Sequence, residues 1–553
     1  RMAKQNSKGN FLMQGAILGV SSILVRLIGI IYRVPLNNIL GEKGVAYYGV
    51  AFDVYSILLL LSSYSLPLAV SKMVSKRTTL KEYKNTKRIF IFALIFALCC
   101  GIAAFCITFF GADLFAKILN YPQSAIALRV LSPALIILSV LGVMRGYFQG
   151  LGTMIPTAIS NIFEQIVNAI VSIVAASALY KSVTTAQEAA YAFGNVKEAY
   201  GAAGGTLGTV CGAAAALAFM IFLFMLYRKT LNQQIANDKS EYVEPAKDIL
   251  KVLVLTIVPV ILSTTIYNIS GLIDSGLFSN ILKAKGVAEA QKDILTGMFT
   301  GNYRLIVNVP IALASALASS LIPSVVKSMT QNNKGSVIRK VESSIKVSMI
   351  VAMPCAAGIG ALSRQIIGFL FPTSVDPNKV SLMLMVGCIS VVFYSLSTIT
   401  NSILQGIDKM RIPVIHSAIA ILIHVVILVA MLYIFNIDVF CLVICDMLFA
   451  LIVCVLNARS LKKYIGYKQE IKKSFLFPAI CSVLMGVCSY FISQALYRAV
   501  KSYAVSVLVT IIASVLIYGI LLLLFRVIDD EEIYMLPGGA KIYALAKKIH
   551  LIR

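Results

Sequence analysis

Apolar runs of membrane-spanning length recur along the whole chain, separated by short polar segments. A spanning helix needs about 20 predominantly apolar residues. Runs of that kind lie near residues 11–35, 45–70, 89–111, 125–144, 156–180, 203–227, 249–273, 297–325, 345–371, 380–405, 413–436, 439–458, 474–497 and 503–526. The pattern predicts an all-α polytopic membrane protein with about 14 transmembrane helices. The first run is too long for the apolar core of a signal peptide and has no small-residue cleavage site, so it reads as a retained helix.

Composition agrees with this class. Of 553 residues, 59% are hydrophobic and 13% are charged. A soluble domain carries about 25% charged residues. The formal net charge of +25 would point to nucleic acid on a soluble protein. Here it reads as basic loops obeying the positive-inside rule, and nucleic acid is not an expected partner. With the N terminus inside, the inner segments hold roughly three times the Lys and Arg of the outer ones. The segment 71–88 is the richest, with Lys72, Lys76, Arg77, Lys81, Lys84, Lys87 and Arg88. Both termini are therefore expected on the cytoplasmic side of a plasma membrane. The cysteines lie almost entirely within apolar runs and form no paired Cys-x-x-Cys, which leaves no zinc or redox signature.

The chain repeats itself. Phe148-Gln149-Gly150-Leu151-Gly152-Thr153-Met154-Ile155-Pro156 is echoed by Leu404-Gln405-Gly406-Ile407-Asp408-Lys409-Met410-Arg411-Ile412-Pro413. Leu66-Pro67 through Met73 is echoed by Ile322-Pro323 through Met329. Gln149 and Gln405 are 256 residues apart, as are Pro67 and Pro323. The expected organisation is two six-helix lobes of the same topology, related by a pseudo-twofold axis along the membrane normal, plus helices 13 and 14. The boundaries are 1–227 for the first lobe, 228–248 for a cytoplasmic linker, 249–458 for the second lobe, and 459–553 for the last two helices and tail. Transporters built from such repeats hold substrate between the halves and rock them in alternating access. A duplication with a structural role alone is the other reading.

Ionisable groups at helix depth cost about 2.5–3.5 kcal/mol on insertion scales and so need a reason. Arg26 and Arg33 lie seven apart on the first helix and share one face. Gly29 lies close to that face. Arg304 enters the eighth run. These three are the expected contacts for an anionic head group, since guanidinium is always charged and binds phosphate in a bidentate fork. Snorkelling to the interface is the alternative, and it weighs most on Arg33, Arg129 and Arg364 near helix ends. Asn161, Glu164, Gln165 and Asn168 form an i, i+3, i+4, i+7 stripe on the fifth helix. They read as cavity lining, with Glu164 a counter-ion for an arginine, or as interhelical hydrogen-bonding groups. Asp53, Asn268 and Asp274 are further candidates for cavity or cation contacts. His416 and His424 read as packing residues or as a proton relay. Gly204, Gly208 and Gly212 form a small-x-x-x-small ladder, a packing signal.

These segments resemble the multidrug/oligosaccharidyl-lipid/polysaccharide exporter superfamily, and within it the MurJ-type lipid II flippases and the stage V sporulation protein B-like group. The resemblance spans essentially all the helices. It rests on Arg26-Leu27-Ile28-Gly29-Ile30-Ile31-Tyr32-Arg33-Val34-Pro35, on Leu66 to Lys72, on Arg145-Gly146-Tyr147-Phe148-Gln149-Gly150 through Pro156, on Glu164-Gln165, and on Tyr303-Arg304-Leu305 through Pro310. It implies a two-lobed exporter whose cavity holds the pyrophosphate and sugars of a lipid-linked glycan on arginines matching Arg26, Arg33 and Arg304. It implies that helices 13 and 14 form a groove for the polyprenyl tail. Two features depart from the flippase pattern: Ile57-Leu58-Leu59-Leu60-Leu61 stands where those flippases carry an arginine, and the helix 1 arginines are one residue further apart.

The expected function is alternating-access flipping of an undecaprenyl-pyrophosphate-linked glycan, lipid II foremost, by a monomer embedded in membrane lipid. No cofactor is expected. Coupling to Na+, H+ or the membrane potential remains open at this stage. A drug or cation antiporter and a polytopic glycosyltransferase are the rivals. A cavity rich in arginine weighs against the first, and short outer loops weigh against the second.

Overall fold

The computed structural model describes residues 2–527 apart from 64, 185–193, 239, 241, 315–333 and 436, and not the side chains of 2–20, 259–260, 262–264 and 266–267. All regular structure among the described residues is helical. The helices are α1 Met2–Ser62, α2 Leu66–Thr79, α3 Tyr83–Ile118, α4 Ser124–Leu131, α5 Pro133–Gly150, α6 Ile155–Ser182, α7 Val196–Ala236, α8 Ala246–Asn268, α9 Ser270–Ala284 and α10 Glu289–Gly297. A π-helical turn, Met298–Tyr303, leads into α11 at 304–314. Then come α12 Lys334–Ala361, α13 Ser363–Leu370, α14 Pro377–Gly387, α15 Ser390–Gly406, α16 Arg411–Tyr433 and α17 Phe440–Ile465. A second π-helical turn, Lys472–Leu476, precedes α18 Phe477–Val500 and α19 Tyr503–Leu524.

Among the described residues ten helices are long and apolar enough to cross a membrane, or eleven if α14 and α15, bent by 46°, make one span. The protein is a multi-pass membrane protein. The count differs from fourteen for identifiable reasons. Ser21–Thr79 counts once although it takes in two of the sequence runs, because α1 continues through Pro35 and breaks only at Gly41, where φ is 64° and ψ 174°. The run 297–325 extends into residues outside those described, and the run 249–273 takes in side chains that are not described.

The helices are built inside out relative to a soluble bundle. On α3 the inward stripe is Ala93, Ala97, Gly101, Ala104, Thr108 and Ala112. Ile95, Leu98, Ile102, Phe110 and Leu114 face outward. Lipid solvates large aliphatic groups as well as a core does, so small residues take the contacts and let backbones approach. The pair α18 and α19 follows the same rule. Ser489 and Ser514 hydroxyls bond at 2.6 Å, and Ser506 donates to the Ser493 carbonyl.

The chain packs as two compact units, Arg1–Gly301 and Asn302–Arg553. Residues 249–301 thus pack with the first unit, whereas the repeat assigns them to the second lobe. The reason is a polar clamp on α10. Tyr47 of α1 donates to Asp293 at 2.6 Å, and Tyr121 bonds Thr296 at 2.6 Å. Lys292 donates to the Asn120 carbonyl and lies 4.2 Å from the Tyr121 ring centroid. The 228–248 segment is also tied down: Asp238 accepts from the Lys84 amide, and Glu244 pairs with Arg77 at 2.9 Å.

One of the two repeated motifs ends in the same backbone turn at both places. After α5, Gly152 N–H bonds Gln149 O and Thr153 N–H bonds Phe148 O. After α15, Asp408 N–H bonds Gln405 O and Lys409 N–H bonds Leu404 O. Both are left-handed helix terminations of the Schellman kind, with φ 89° at Gly152 and 62° at Asp408. In the first unit the two repeated motifs pack together. A Cβ on Gly146 would stand 2.7 Å from the Pro67 carbonyl, and one on Gly150 2.6 Å from Val74. The second copy, 321–329, lies outside the described residues.

Candidate functional site

In the first unit, α1, α5 and α6 carry the polar groups. Residues 21–40 are continuously helical, so Arg26 and Arg33 lie two turns apart on one face, as the spacing predicts. Arg26 is exposed and Arg33 half-buried. The Arg33 guanidinium stands 5.9 Å from the Phe52 ring centroid, a cation–π distance. Gly29 faces Gln165 of α6, whose amide nitrogen would be 3.2 Å from an added Cβ.

Glu164 has an arginine partner just beyond the end of the apolar run 125–144. Arg145, in the last turns of α5, donates to Glu164 at 2.7 Å and to the Ser160 hydroxyl at 2.8 Å. Both ends of this pair are largely sheltered, with side-chain exposures of 14% and 22%. The turn at Leu151–Met154 reverses the chain and sets α6 beside α5, which brings the two together. The contact is an ion pair between α5 and α6, and both readings of Glu164 describe it.

Asn168, further along the same stripe, belongs to packing. It donates to the Tyr32 hydroxyl at 3.4 Å and accepts from Ser172 at 2.9 Å. The glycine ladder of α7 lies directly on it: an added Cβ on Gly208 would meet Ser172 at 2.0 Å and the Asn168 carbonyl at 2.6 Å, and one on Gly212 the Glu164 carbonyl at 2.6 Å. Asn161 is half-buried and Asn268, at the end of α8, is exposed. Asp53 is half-buried and accepts from Ser275 at 3.4 Å. Asp274 is buried.

In the second unit, Arg304 is the first residue after the π-helical turn. Such turns recur at functional positions. Its neighbour Tyr303 is fully buried and reaches the Gly387 carbonyl at 3.3 Å and the Ser390 hydroxyl at 3.2 Å. That anchor fixes the start of α11 and so the direction of Arg304. The guanidinium donates to Asp446 Oδ1 of α17 at 3.3 Å. Tyr394 of α15 donates to the same oxygen at 2.8 Å. Sequence reasoning missed Asp446. The available signal was an acid in the middle of the apolar run 440–456, the same signal that singled out Glu164.

The histidines are hydrogen-bonded within the helix packing. His416 Nδ1 bonds Asn457 at 2.7 Å and its Nε2 approaches Ser460 at 3.3 Å. Asn457 in turn donates to Thr400 and Asn401. His424 Nδ1 approaches the Cys445 carbonyl at 3.0 Å. These contacts match the packing reading. Arg129 pairs with Asp113 and is half-buried, and Arg364 is exposed.

Comparison with known proteins gives a consistent result. A family model described as polysaccharide biosynthesis protein matches residues 11–329, and one described as MatE matches 284–430. The chain is 24% identical over 549 residues to stage V sporulation protein B of Bacillus subtilis, covering 97% of this chain and 98% of that protein. It is 23% identical over 497 residues to the lipid II flippase MurJ of the same organism, covering 86% and 87%. Its fold is similar to a solved structure of a lipid II flippase MurJ in an inward closed conformation, with a TM-score of 0.64, 14% identity, and coverage of 92% and 98%.

Proposed function

The chain belongs to the polysaccharide biosynthesis protein family, and from that premise we propose that it is a flippase, not an enzyme, for an undecaprenyl-pyrophosphate-linked glycan, with lipid II the first candidate. The observation that carries the reading is the presence of arginines on apolar helices, Arg26 and Arg33 on α1 and Arg304 on α11, in a chain similar to a lipid II flippase over most of its length. Guanidinium groups suit a pyrophosphate. They suit a cationic drug badly.

In this reading the arginines neutralise the head group while the polyprenyl tail stays in lipid. The protein alternates access as a monomer with both termini in the cytoplasm. A membrane potential negative inside favours outward movement of an anion by about 2.3 kcal/mol per charge per 100 mV. Two uncompensated charges would gain roughly 4–5 kcal/mol on that scale. Asp53, Asn268 and Asp274 are the further candidates for cavity or cation contacts.

The test is complementation of cells depleted of their own lipid II flippase, with wild type, Arg26→Ala and Arg304→Ala at matched membrane levels. Rescue by wild type and failure of both variants is expected. No rescue by well-expressed wild type would overturn lipid II and leave another undecaprenyl-linked glycan. A second reading, drug or cation antiport, is favoured by the MatE match over 284–430. Uptake of a cationic dye into vesicles, driven by an ion gradient, would select it.

A further inference from the structure

Beyond that reading, and taking only its orientation, we infer a second phosphate site at the turn between α18 and α19: Arg364, Arg498 and Lys501, set around the stacked rings of Tyr497 and Tyr503, bind the phosphate group of a membrane lipid. The tyrosines fix the place. Their ring centroids are 4.4 Å apart and their planes 22° from parallel. Each ends in a hydroxyl, a donor for a phosphate oxygen. Arg498 and Lys501 follow Tyr497 in the last turn of α18 and its cap. From the other side comes α13. A Cβ on Gly368 would stand 2.8 Å from the Tyr503 ring, and Arg364, one turn earlier, is within electrostatic reach of Tyr503. All three cations are exposed and both tyrosines are half-buried.

Snorkelling, together with the helix dipole, accounts for Arg498 alone. The other two stand where their backbone positions disfavour them. Arg364 is the second residue of α13, where the helix dipole repels a cation. Lys501 takes the left-handed cap of α18 with φ 53°, a position that glycine fills at lower cost. With both termini in the cytoplasm, as proposed above, this is the outer end of the protein, where the positive-inside rule leaves cations scarce.

The surroundings of the charges define the ligand. Guanidinium grips phosphate oxygens as a fork, and lysine adds a point charge. Asp376 and Asp438, acids in two loops of the same unit, are engaged elsewhere: Asp376 caps α14 and Asp438 pairs with Lys379. Val487, Phe491 and Arg498 are spaced by four and seven residues, which puts them on one face of α18. All three are exposed. An apolar lane that ends in a cation suits an amphiphile with an anionic head, not a soluble anion.

The experiment counts lipids bound to the full chain by native mass spectrometry. An Arg26→Ala/Arg33→Ala/Arg304→Ala background removes the arginines assigned to the head group, so this site is read by itself. Farnesyl phosphate, dioleoyl phosphatidylglycerol and inorganic phosphate are titrated separately. At least one of the two lipids should bind, and Arg364→Gln/Lys501→Gln should raise its apparent Kd by about tenfold, which corresponds to 1.4 kcal/mol. The lipid that responds names the source, a single-chain phosphate monoester or a phospholipid. Lys501→Gly should weaken binding without lowering the unfolding midpoint, since it relieves the left-handed cap; a merely structural lysine would lower the midpoint and leave binding alone. If the background does not fold, the double substitution is made in the otherwise unaltered chain and should remove one bound lipid. Binding unaltered by the double substitution overturns the inference. So does inorganic phosphate that binds as tightly as either lipid, or a chain that binds neither lipid. Because the background lacks the head-group arginines, each of these results leaves the flippase reading to its own complementation test.

Discussion

Tyr47 donates its hydroxyl to Asp293 at 2.6 Å across 246 residues of chain. Beside it, Lys292 lies 3.3 Å from the other carboxylate oxygen, and both charged side chains are almost completely buried. Burial pushes the Asp293 carboxyl up and the Lys292 ammonium down. Each charge is tolerable because the other is there. Lys292→Met or Asp293→Ala alone should destabilise the protein by about 3–5 kcal/mol, as removal of one partner of a buried pair does. The Lys292→Met/Asp293→Leu double variant should recover most of that loss. Thermal unfolding of the purified protein in detergent checks both.

The Arg145–Glu164 pair should behave as a unit. Arg145→Ala and Glu164→Ala each leave a sheltered charge without its partner. The double variant should be less damaged than the two single effects combined, with a coupling of about 0.5–3 kcal/mol. A double-mutant cycle on unfolding midpoints measures it. Strict additivity would show that the contact is incidental.

Gly208→Ala should fail to assemble. Its added carbon would sit 2.0 Å from the Ser172 hydroxyl and 2.6 Å from backbone of α6, and backbone cannot yield as a side-chain tip can. Monodisperse elution at wild-type yield would contradict this.

The paired turns give a differential prediction. Gly152 has a φ of 89° and open space around its Cβ position, so Gly152→Ala should cost about 1 kcal/mol through backbone strain alone. Asp408→Gly removes a side chain from the equivalent left-handed position and should change stability by less than about 0.5 kcal/mol, since relieved strain offsets added chain entropy. Chemical denaturation of the two variants in parallel separates them.

Glu470 caps the turn before α18, accepting from the Lys473 amide at 3.0 Å and the Ser474 amide at 2.7 Å. Burial raises its carboxyl somewhat, and the amide donors outweigh this and hold it below the usual 4.5. The folded value is thus depressed, so the stabilisation is present above pH 4.5 and is lost as pH falls through the folded value. Glu470→Gln should cost about 1 kcal/mol at pH 7, as loss of a cap does. The gap to wild type should close on acidification, and a gap independent of pH would refute the assignment.

The membrane class, the repeat and the helix faces were legible because each is a periodicity: run length, a fixed offset, a seven-residue spacing. Arg26 and Arg33 share a face as read, and the Gly204–Gly212 ladder packs as read. What the chain alone hid were partnerships. Arg145 reads as a charge beyond the end of an apolar run until the turn at Leu151–Met154 folds α6 back beside it. Asp446 is one acid in an apolar run, and only the convergence of α11, α15 and α17 gives it Arg304 and Tyr394. The grouping of α10 with the first unit was also hidden, because it depends on a clamp spread over three distant segments. Continuity through Pro35 merged two runs into one long helix, since proline interrupts a helix less than the sequence break suggests when the bend falls at Gly41 instead.

The Schellman turns at Gly152 and Asp408 share one hydrogen-bond pattern, yet Arg145, 256 residues before Asn401, holds an ion pair where Asn401 joins a neutral amide network with Asn457 and His416. The two copies of this turn share their backbone geometry and differ in electrostatics. A finding about a charged residue in one half therefore has no default counterpart in the other, and a mutational map of this transporter must be measured twice.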